Sequence, residues 1–248
     1  MSSTAPVALI TGAAHRLGAH TARHLHHRGW NIVIHYRSRQ QQAQRLKEEL
    51  NALREESAIT LQADLSLPEA ITPLAKQAIA AWGRLNGLVN NASVFYPNPT
   101  ESAANEDWNQ IMGTNLQAPF FLGQACLAAL RESGGTIINL IDIYSQRPLA
   151  NHPLYCASKA GLASLTLSWA KDLAPDVRVN GVSPGAILWP EGEGEINPQH
   201  QQNILSKTPL ARTGQPDDIA GAVAFLLCDA PFITGQILAV DGGRSLNM

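Results

Sequence analysis

The stretch Val7-Ala8-Leu9-Ile10-Thr11-Gly12-Ala13-Ala14-His15-Arg16-Leu17-Gly18 decides the fold of this chain. Its first five residues are a short apolar run that ends at a glycine, which reads as a buried strand. Small residues follow, so the backbone there can approach a ligand closely. Helical composition then runs from Gly18 to Arg28 and stops at Gly29. A helix starting from such a loop offers unpaired N–H groups and the positive end of its dipole to an anion. A glycine-rich turn alone says little, but after the first strand of a strand–helix–strand unit it reads as a pyrophosphate cradle.

Outward from this loop, strands are expected at Asn31–Tyr36, Ile59–Ala63, Leu88–Asn91, Thr136–Ile141, Val177–Val182 and Gln236–Val240. Helical segments separate them. One runs from Gln40 to Arg54 with Leu46, Leu50 and Leu53 at helical spacing, another from Pro68 to Trp82. Strands alternating with such helices imply parallel pairing through right-handed crossovers. The strands are apolar with little alternation, as a sheet covered on both faces requires. A segment from about 186 to 208 departs from the pattern. Its Ile187–Pro198 part is rich in glycine and acid, and reads as a mobile loop of the kind that covers a site.

Composition narrows the function. The chain has 248 residues, which suits a single α/β domain spanning 1–248. Its formal net charge is −2 with no long basic run, so nucleic acid is not an expected partner. No apolar stretch approaches the roughly 20 residues that would span a membrane, and the first residues show no signal-peptide pattern. The three cysteines, Cys126, Cys156 and Cys228, are odd in number and lack metal-ligand spacing. A reducing cytoplasm fits them, with Cys156 an ordinary buried thiol. The eight histidines show no ligand spacing, so no metal site is expected, and His24, His26 and His27 read as solvated.

The second strand ends His35-Tyr36-Arg37-Ser38-Arg39, and no acid occurs between Asn31 and Lys47. An acid near that point would hold the ribose 2′-hydroxyl of NAD. Arg37, Ser38 and Arg39 instead suit the 2′-phosphate of NADP, the other reading being a solvated turn. Arg16 can pair with phosphate or stack on a flat ring, or stand as a surface arginine. Asp64, before Leu65, can accept from an adenine amino group or cap the next helix. Tyr155 and Lys159 are four residues apart and share a helix face. A nearby ammonium and the positive nicotinamide ring are expected to lower the phenol's pKa and let the pair exchange a proton near neutrality.

Gly12 and Leu17 in the loop, Asn90-Asn91-Ala92-Ser93, Asn115, Tyr155 with Lys159, and Pro184-Gly185 together resemble the short-chain dehydrogenase/reductase family, from Val7 to Asp241-Gly242-Gly243. The resemblance implies one Rossmann-type, doubly wound parallel sheet of seven strands with helices on both faces. It implies that these residues bind a nicotinamide cofactor, that Tyr155 donates a proton, that Lys159 holds the nicotinamide ribose, and that Asn115 supports a water relay. It also implies a homotetramer, with the helices around Asn109–Glu132 and Pro153–Asp172 at subunit contacts.

Within that family the chain is similar to pteridine reductases. Arg16 replaces the middle glycine of the loop. The second strand ends His35-Tyr36-Arg37-Ser38, and Asp142 stands where most members have a catalytic serine. The run Asn91–Pro97 also looks like the segment whose aromatic ring stacks on a pterin, a role Phe95 would take. Ser93 and Arg16 would bond substrate or cofactor phosphates, and Trp189 would either close over the ring or pack on the surface. Tyr96 reads as structural. A pterin C=N bond takes hydride on carbon and a proton on nitrogen, and a carboxylic acid at Asp142 could supply that proton. The sequence therefore points to an NADPH-dependent reductase of pterins or folates. A short-chain carbonyl reductase of the 3-oxoacyl or sugar type, and a non-catalytic NADPH-binding sensor, remain the alternatives.

Overall fold

The computed structural model describes residues 5–189 and 197–247. Seven strands form one sheet: β1 (Val7–Ile10), β2 (Asn31–Tyr36), β3 (Ala58–Gln62), β4 (Gly87–Asn90), β5 (Thr136–Leu140), β6 (Arg178–Pro184) and β7 (Ile237–Val240). All pairings are parallel and the order is β3-β2-β1-β4-β5-β6-β7. The order reverses between β1 and β4, and in open α/β sheets ligands bind beyond the strand ends at such a reversal.

The helices are α1 (Arg16–His27), α2 (Gln40–Leu53), α3 (Pro68–Ala80), α4 (Asn105–Met112), α5 (Ala118–Ser133), α6 (Pro153–Asp172), α7 (Pro198–Ser206) and α8 (Pro216–Ala224). Strand side chains alternate between two apolar layers. Ala8, Ile10, Ile32 and Ile34 join Leu25, Leu46, Leu50 and Val223 on one face. Val7, Leu9, Val33 and Leu88 join Leu74, Leu122 and Leu130 on the other. Both strand faces are therefore buried, which is why the strands lack polar alternation. Truncating one of these fully buried leucines to alanine costs about 2–5 kcal/mol.

Several local expectations shift. α1 begins at Arg16 rather than Gly18. Leu46 and Leu50 are buried on α2, but Leu53 is largely exposed in its last turn. The segment expected as a loop over 186–208 contains α7, whose first turn Asn197 caps by accepting from the His200 N–H at 2.8 Å. Residues 190–196, the glycine- and acid-rich part, lie outside the described residues. His26 is buried rather than solvated: it faces inward from α1 and bonds Ser57 Oγ at 2.7 Å.

Candidate active site

The two loops at the sheet's reversal are pinned to each other. Thr11 Oγ1 accepts from the Asn91 and Ala92 N–H groups, each at 2.9 Å. The Asn91 side chain donates to the carbonyls of Thr11 at 2.7 Å and Gly12 at 3.1 Å. This close approach explains Gly18, where a Cβ would fall 2.5 Å from the Gly12 oxygen and 2.6 Å from Asn91 Nδ2. His35 adds a third anchor. Its Nδ1 accepts from the Gly12 N–H at 3.0 Å, and its Nε2 lies 3.1 Å from the Ala63 carbonyl, which fixes the tautomer with the proton on Nε2. Burial pushes its pKa down to about 4, so the ring stays neutral.

A cleft of about 410 Å³ opens over these loops, within the usual span of small-molecule sites. Its wall includes Gly12, Arg16, Leu17, His35, Tyr36, Arg37, Ser38, Asp64, Leu65, Asn91, Ala92 and Ser93. These residues, singled out in the sequence, share one cleft, whereas Asn115, Tyr155, Lys159, Pro184 and Gly185 are not part of its lining. Thr114 also lines the cleft, and its hydroxyl is buried without a hydrogen-bond partner among the described residues. An orphaned donor, a glycine cradle and a helix N-terminus fit a bound dinucleotide. Gly185 follows β6, its N–H bonded to the Val240 carbonyl at 3.0 Å. Asp64 accepts from the Ser66 N–H and hydroxyl, at 3.0 and 2.7 Å. Burial pushes this carboxyl up, but the Ser66 bonds and the Arg37 charge outweigh it and leave it below the ordinary value.

Arg16 departs from the surface-arginine reading. It takes φ = 51°, in the left-handed region where glycine is normal. Its guanidinium donates to the Leu188 and Trp189 carbonyls, both at 3.0 Å, and so ties the β1–α1 loop to the segment that follows β6.

The acid cluster stands beyond β5. Asp142 caps the short 3₁₀ turn Ile143–Ser145, with Oδ1 accepting from the Tyr144 N–H at 2.9 Å. Its Oδ2 accepts from the Tyr155 hydroxyl at 2.7 Å. One oxygen thus fixes the following turn and the other meets the phenol. Lys159 is buried, donates to the Leu140 carbonyl at 2.8 Å, and lies 5.8 Å from the centre of the Tyr155 ring. An ammonium has three donors, so Leu140 engages one of them.

Among the chain's own groups, the lowering expected of Lys159 on Tyr155 does not appear. The phenol's pKa is driven well above the ordinary value, first by burial and then by the Asp142 carboxyl it bonds. Lys159, itself lowered by burial to about 8 against the pull of Asp142, does not reverse this. Burial also raises Asp142, against its bonds from Tyr144 and Tyr155 and the charges of Lys159 and Arg244. The group is therefore a set of proton holders rather than a phenolate with a counter-ion.

Asn115 sits in a π-helical turn, Gly113–Gln117, between α4 and α5. Its side chain accepts from the Val94 N–H at 2.8 Å, donates to the Val94 carbonyl at 3.0 Å, and reaches Ser158 Oγ at 3.2 Å. Ser93 Oγ lies 3.3 Å from the same amide oxygen. Asn115 thereby fixes the strand exit that carries Ser93 and Phe95. Phe95 is 41% exposed, edge-on to Tyr155 at 4.8 Å and stacked on His152 at 4.7 Å. Tyr96 is structural, donating to Asp107 at 3.0 Å.

Four contributors carry no motif in the sequence. Asn98, buried, bonds Tyr96, Asn151 and Leu154 and clamps the Phe95 segment to the start of α6. His152 backs Phe95. Tyr144 follows Asp142 by two residues, and Arg244 donates to its hydroxyl at 3.1 Å. The Asp-Gly-Gly turn before Arg244, with both glycines at positive φ, is the one local signal that something is being positioned. Among the described residues, no group of side chains is arranged to hold a metal ion, and no helix is long and apolar enough to cross a membrane.

A family model described as enoyl-(acyl carrier protein) reductase matches residues 12–245. With the parallel sheet, the pinned loops and the Tyr–Lys pair, this establishes that the chain belongs to the short-chain dehydrogenase/reductase family, a class of nicotinamide-dependent oxidoreductases. The chain is 36% identical to pteridine reductase 1 of Leishmania tarentolae, over 99% of its own length and 98% of the relative's. It is 34% identical to a 3-oxoacyl-[acyl-carrier-protein] reductase of Staphylococcus aureus, over 95% and 96% of the two lengths. An uncharacterized oxidoreductase of Methylorubrum extorquens is 35% identical over 96% of each. Values this close do not separate the two named activities; the site's chemistry has to.

Proposed function

We propose that the chain is an NADPH-dependent pteridine reductase, taking dihydropterins to their tetrahydro forms, with oxidised pterins, dihydrofolate and dihydromonapterin as related candidates. The observation that carries this reading is the buried carboxyl of Asp142 bonded at 2.7 Å to the Tyr155 hydroxyl. Reduction of a carbonyl takes hydride on carbon and a proton on oxygen, and reduction of a C=N bond takes its proton on nitrogen; a second buried acid beside Tyr155 supports the nitrogen case.

When bound, the reduced nicotinamide supplies the hydride. The chain's own residues do the rest. Phe95 offers a flat apolar face for a planar heterocycle, edge-on to Tyr155 at 4.8 Å. Tyr155 stays protonated at neutral pH because burial and Asp142 oppose the phenolate. Its proton lies on the path to Asp142 Oδ2, so a substrate nitrogen at that pair draws on either acid. Lys159 holds the Leu140 carbonyl and keeps donors for a ribose. Arg37, Ser38 and Arg39, all exposed at the lip of the cleft, support NADP over NAD. Exposed Trp108, Phe120, Phe121 and Leu167 on α4, α5 and α6 support burial of these helices in a homotetramer.

The test is NADPH oxidation measured side by side with dihydrobiopterin and acetoacetyl thioester. Turnover of the pterin alone is the expected result. Turnover of the thioester alone would overturn the reading in favour of a 3-oxoacyl reductase. Near-normal pterin turnover by Asp142→Asn would remove the carboxyl from the mechanism.

A further inference from the structure

We propose that Arg244, presented on the hydroxyl of Tyr144, recognises an oxygen-bearing substituent of the substrate and so sets which substrates of the class are preferred; this rests on the pteridine reductase reading. Arg244 lies past β7, on a 3₁₀ turn at Arg244–Leu246. That turn is built rather than loose. Asp241 accepts from the Gly243 N–H at 2.9 Å and from the Ser245 N–H at 2.8 Å. Asn247 donates to the Lys207 carbonyl at 3.3 Å, joining the turn to the end of the segment that carries the substrate loop.

Arg244 as a whole is only 9% exposed. One terminal nitrogen donates to the Tyr144 hydroxyl at 3.1 Å, and Cζ stands 5.9 Å from the centre of that ring. Its Nε is buried with no hydrogen-bond partner among the described residues. A buried guanidinium with an unmet donor is costly unless something supplies the acceptor. Tyr144, which holds the guanidinium, bonds Asp142 through its own N–H at 2.9 Å, so Arg244 is joined to the acid pair through a single residue. A substrate held on Phe95 with its nitrogen at Asp142 and Tyr155 would have its ring substituent available to this corner.

The chemistry that satisfies a guanidinium fork is an acceptor oxygen, from a carboxylate or a hydroxylated chain. Two sources share it: the polyhydroxylated chain of a dihydropterin such as dihydromonapterin, and the carboxylates of dihydrofolate. A 6-methyl dihydropterin has the ring without the oxygens and serves as the reference. The experiment compares kcat/KM for these three substrates in wild type, Arg244→Met and Arg244→Lys, with Tyr144→Phe as a variant that keeps the ring.

The expected result is a loss of about 10- to 100-fold for Arg244→Met on at least one oxygen-bearing substrate, mainly in KM, with less than about 3-fold on the 6-methyl compound. Arg244→Lys should fall between, and Tyr144→Phe should shift the same ratio in the same direction. The substrate that suffers identifies the source of the oxygen. Equal losses on all three substrates in both Arg244→Lys and Tyr144→Phe would assign the pair to architecture and overturn the inference. If wild type reduces none of the three, the pteridine reading fails first and this inference falls with it.

Discussion

The cofactor side and the acid side of this site are held together in different ways. At the reversal of the sheet, Thr11, Gly12, Asn91 and His35 are joined by bonds that each pair one side chain with a backbone group, and every contact comes from a strand end. On the acid side, Asp142, Tyr144, Tyr155, Phe95 and Arg244 are joined by side chains from widely separated segments. A cradle for a constant group such as a pyrophosphate can be made of backbone N–H groups that short side-chain anchors hold in place. A pocket for a variable substrate is made of side chains, which can change one at a time. The three identities between 34% and 36% are too close to one another to separate substrates, which is left to the side chains of the acid side.

The sharpest way to test the contrast is to break the acid pair. Tyr155→Phe removes the phenol proton while keeping the ring that meets Phe95. General acid catalysis is worth roughly 10²- to 10⁴-fold, and that loss is expected in kcat with little change in KM for the cofactor. Asp142→Asn should lose a comparable amount, and the double variant should lose much less than the product of the two. Steady-state kinetics on a dihydropterin checks both, and multiplicative losses would show that the two groups do not act as a unit.

The cofactor side should respond to acid instead. His35 titrates near 6.5 in an unfolded chain and is pushed to about 4 in the fold, a difference on the order of 3 kcal/mol. Between those pH values the unfolded state binds the proton and the folded state does not, so stability falls as pH drops from about 6.5 towards 4. Urea unfolding at pH 7, 5.5 and 4 should show that slope, and His35→Gln, which cannot titrate, should flatten it. An unchanged slope in the variant would remove His35 as its cause.

Legibility in the sequence follows the same division. The strands were readable because both faces are buried, so apolar runs such as Val7–Ile10 and Ile32–Ile34 stand out without alternation. The cofactor cleft was readable because its residues sit at strand ends, where Gly12, Arg37, Asp64 and Asn91 fall by position alone. Asp142, Tyr155 and Lys159 were readable from spacing and family likeness. Their proton energetics were not, because the pKa of Tyr155 is set by burial and by a carboxyl thirteen residues away. Arg244 and Asn98 were out of reach for a related reason: each matters through a long-range partner, Tyr144 or Leu154, that no local pattern announces. His26 was misread because a histidine on a helix end looks solvated until Ser57 is seen to face it.

A smaller effect is expected where the two sides meet. Arg16 holds a left-handed backbone position that glycine would adopt freely, yet its side chain bridges to Leu188 and Trp189. Left-handed backbone costs a non-glycine residue roughly 1–2 kcal/mol. Arg16→Gly should therefore leave the melting temperature unchanged or slightly raised. KM for cofactor or substrate should rise about 10-fold, as expected for loss of a charge-assisted bond. A fall in melting temperature with unchanged KM would mean that Arg16 serves the fold alone.

The smallest effect tests how rigid the substrate platform is. Phe95 has His152 stacked on one face at 4.7 Å and nearly parallel, and the His152 ring is itself held by the Ala150 carbonyl at 2.8 Å. A ring backed on one side cannot tilt away from a ligand stacking on the other, so its orientation is set before binding. Aromatic stacking of this kind contributes about 0.5–1.5 kcal/mol beyond area burial. His152→Ala should therefore raise KM for a flat substrate by roughly 2- to 10-fold while leaving kcat and cofactor KM in place. His152→Phe, which restores a flat backing, should recover most of that loss. If the phenylalanine variant is as weak as the alanine one, the imidazole acts through its hydrogen bond to Ala150 rather than through the stack, and the platform owes its orientation to the loop.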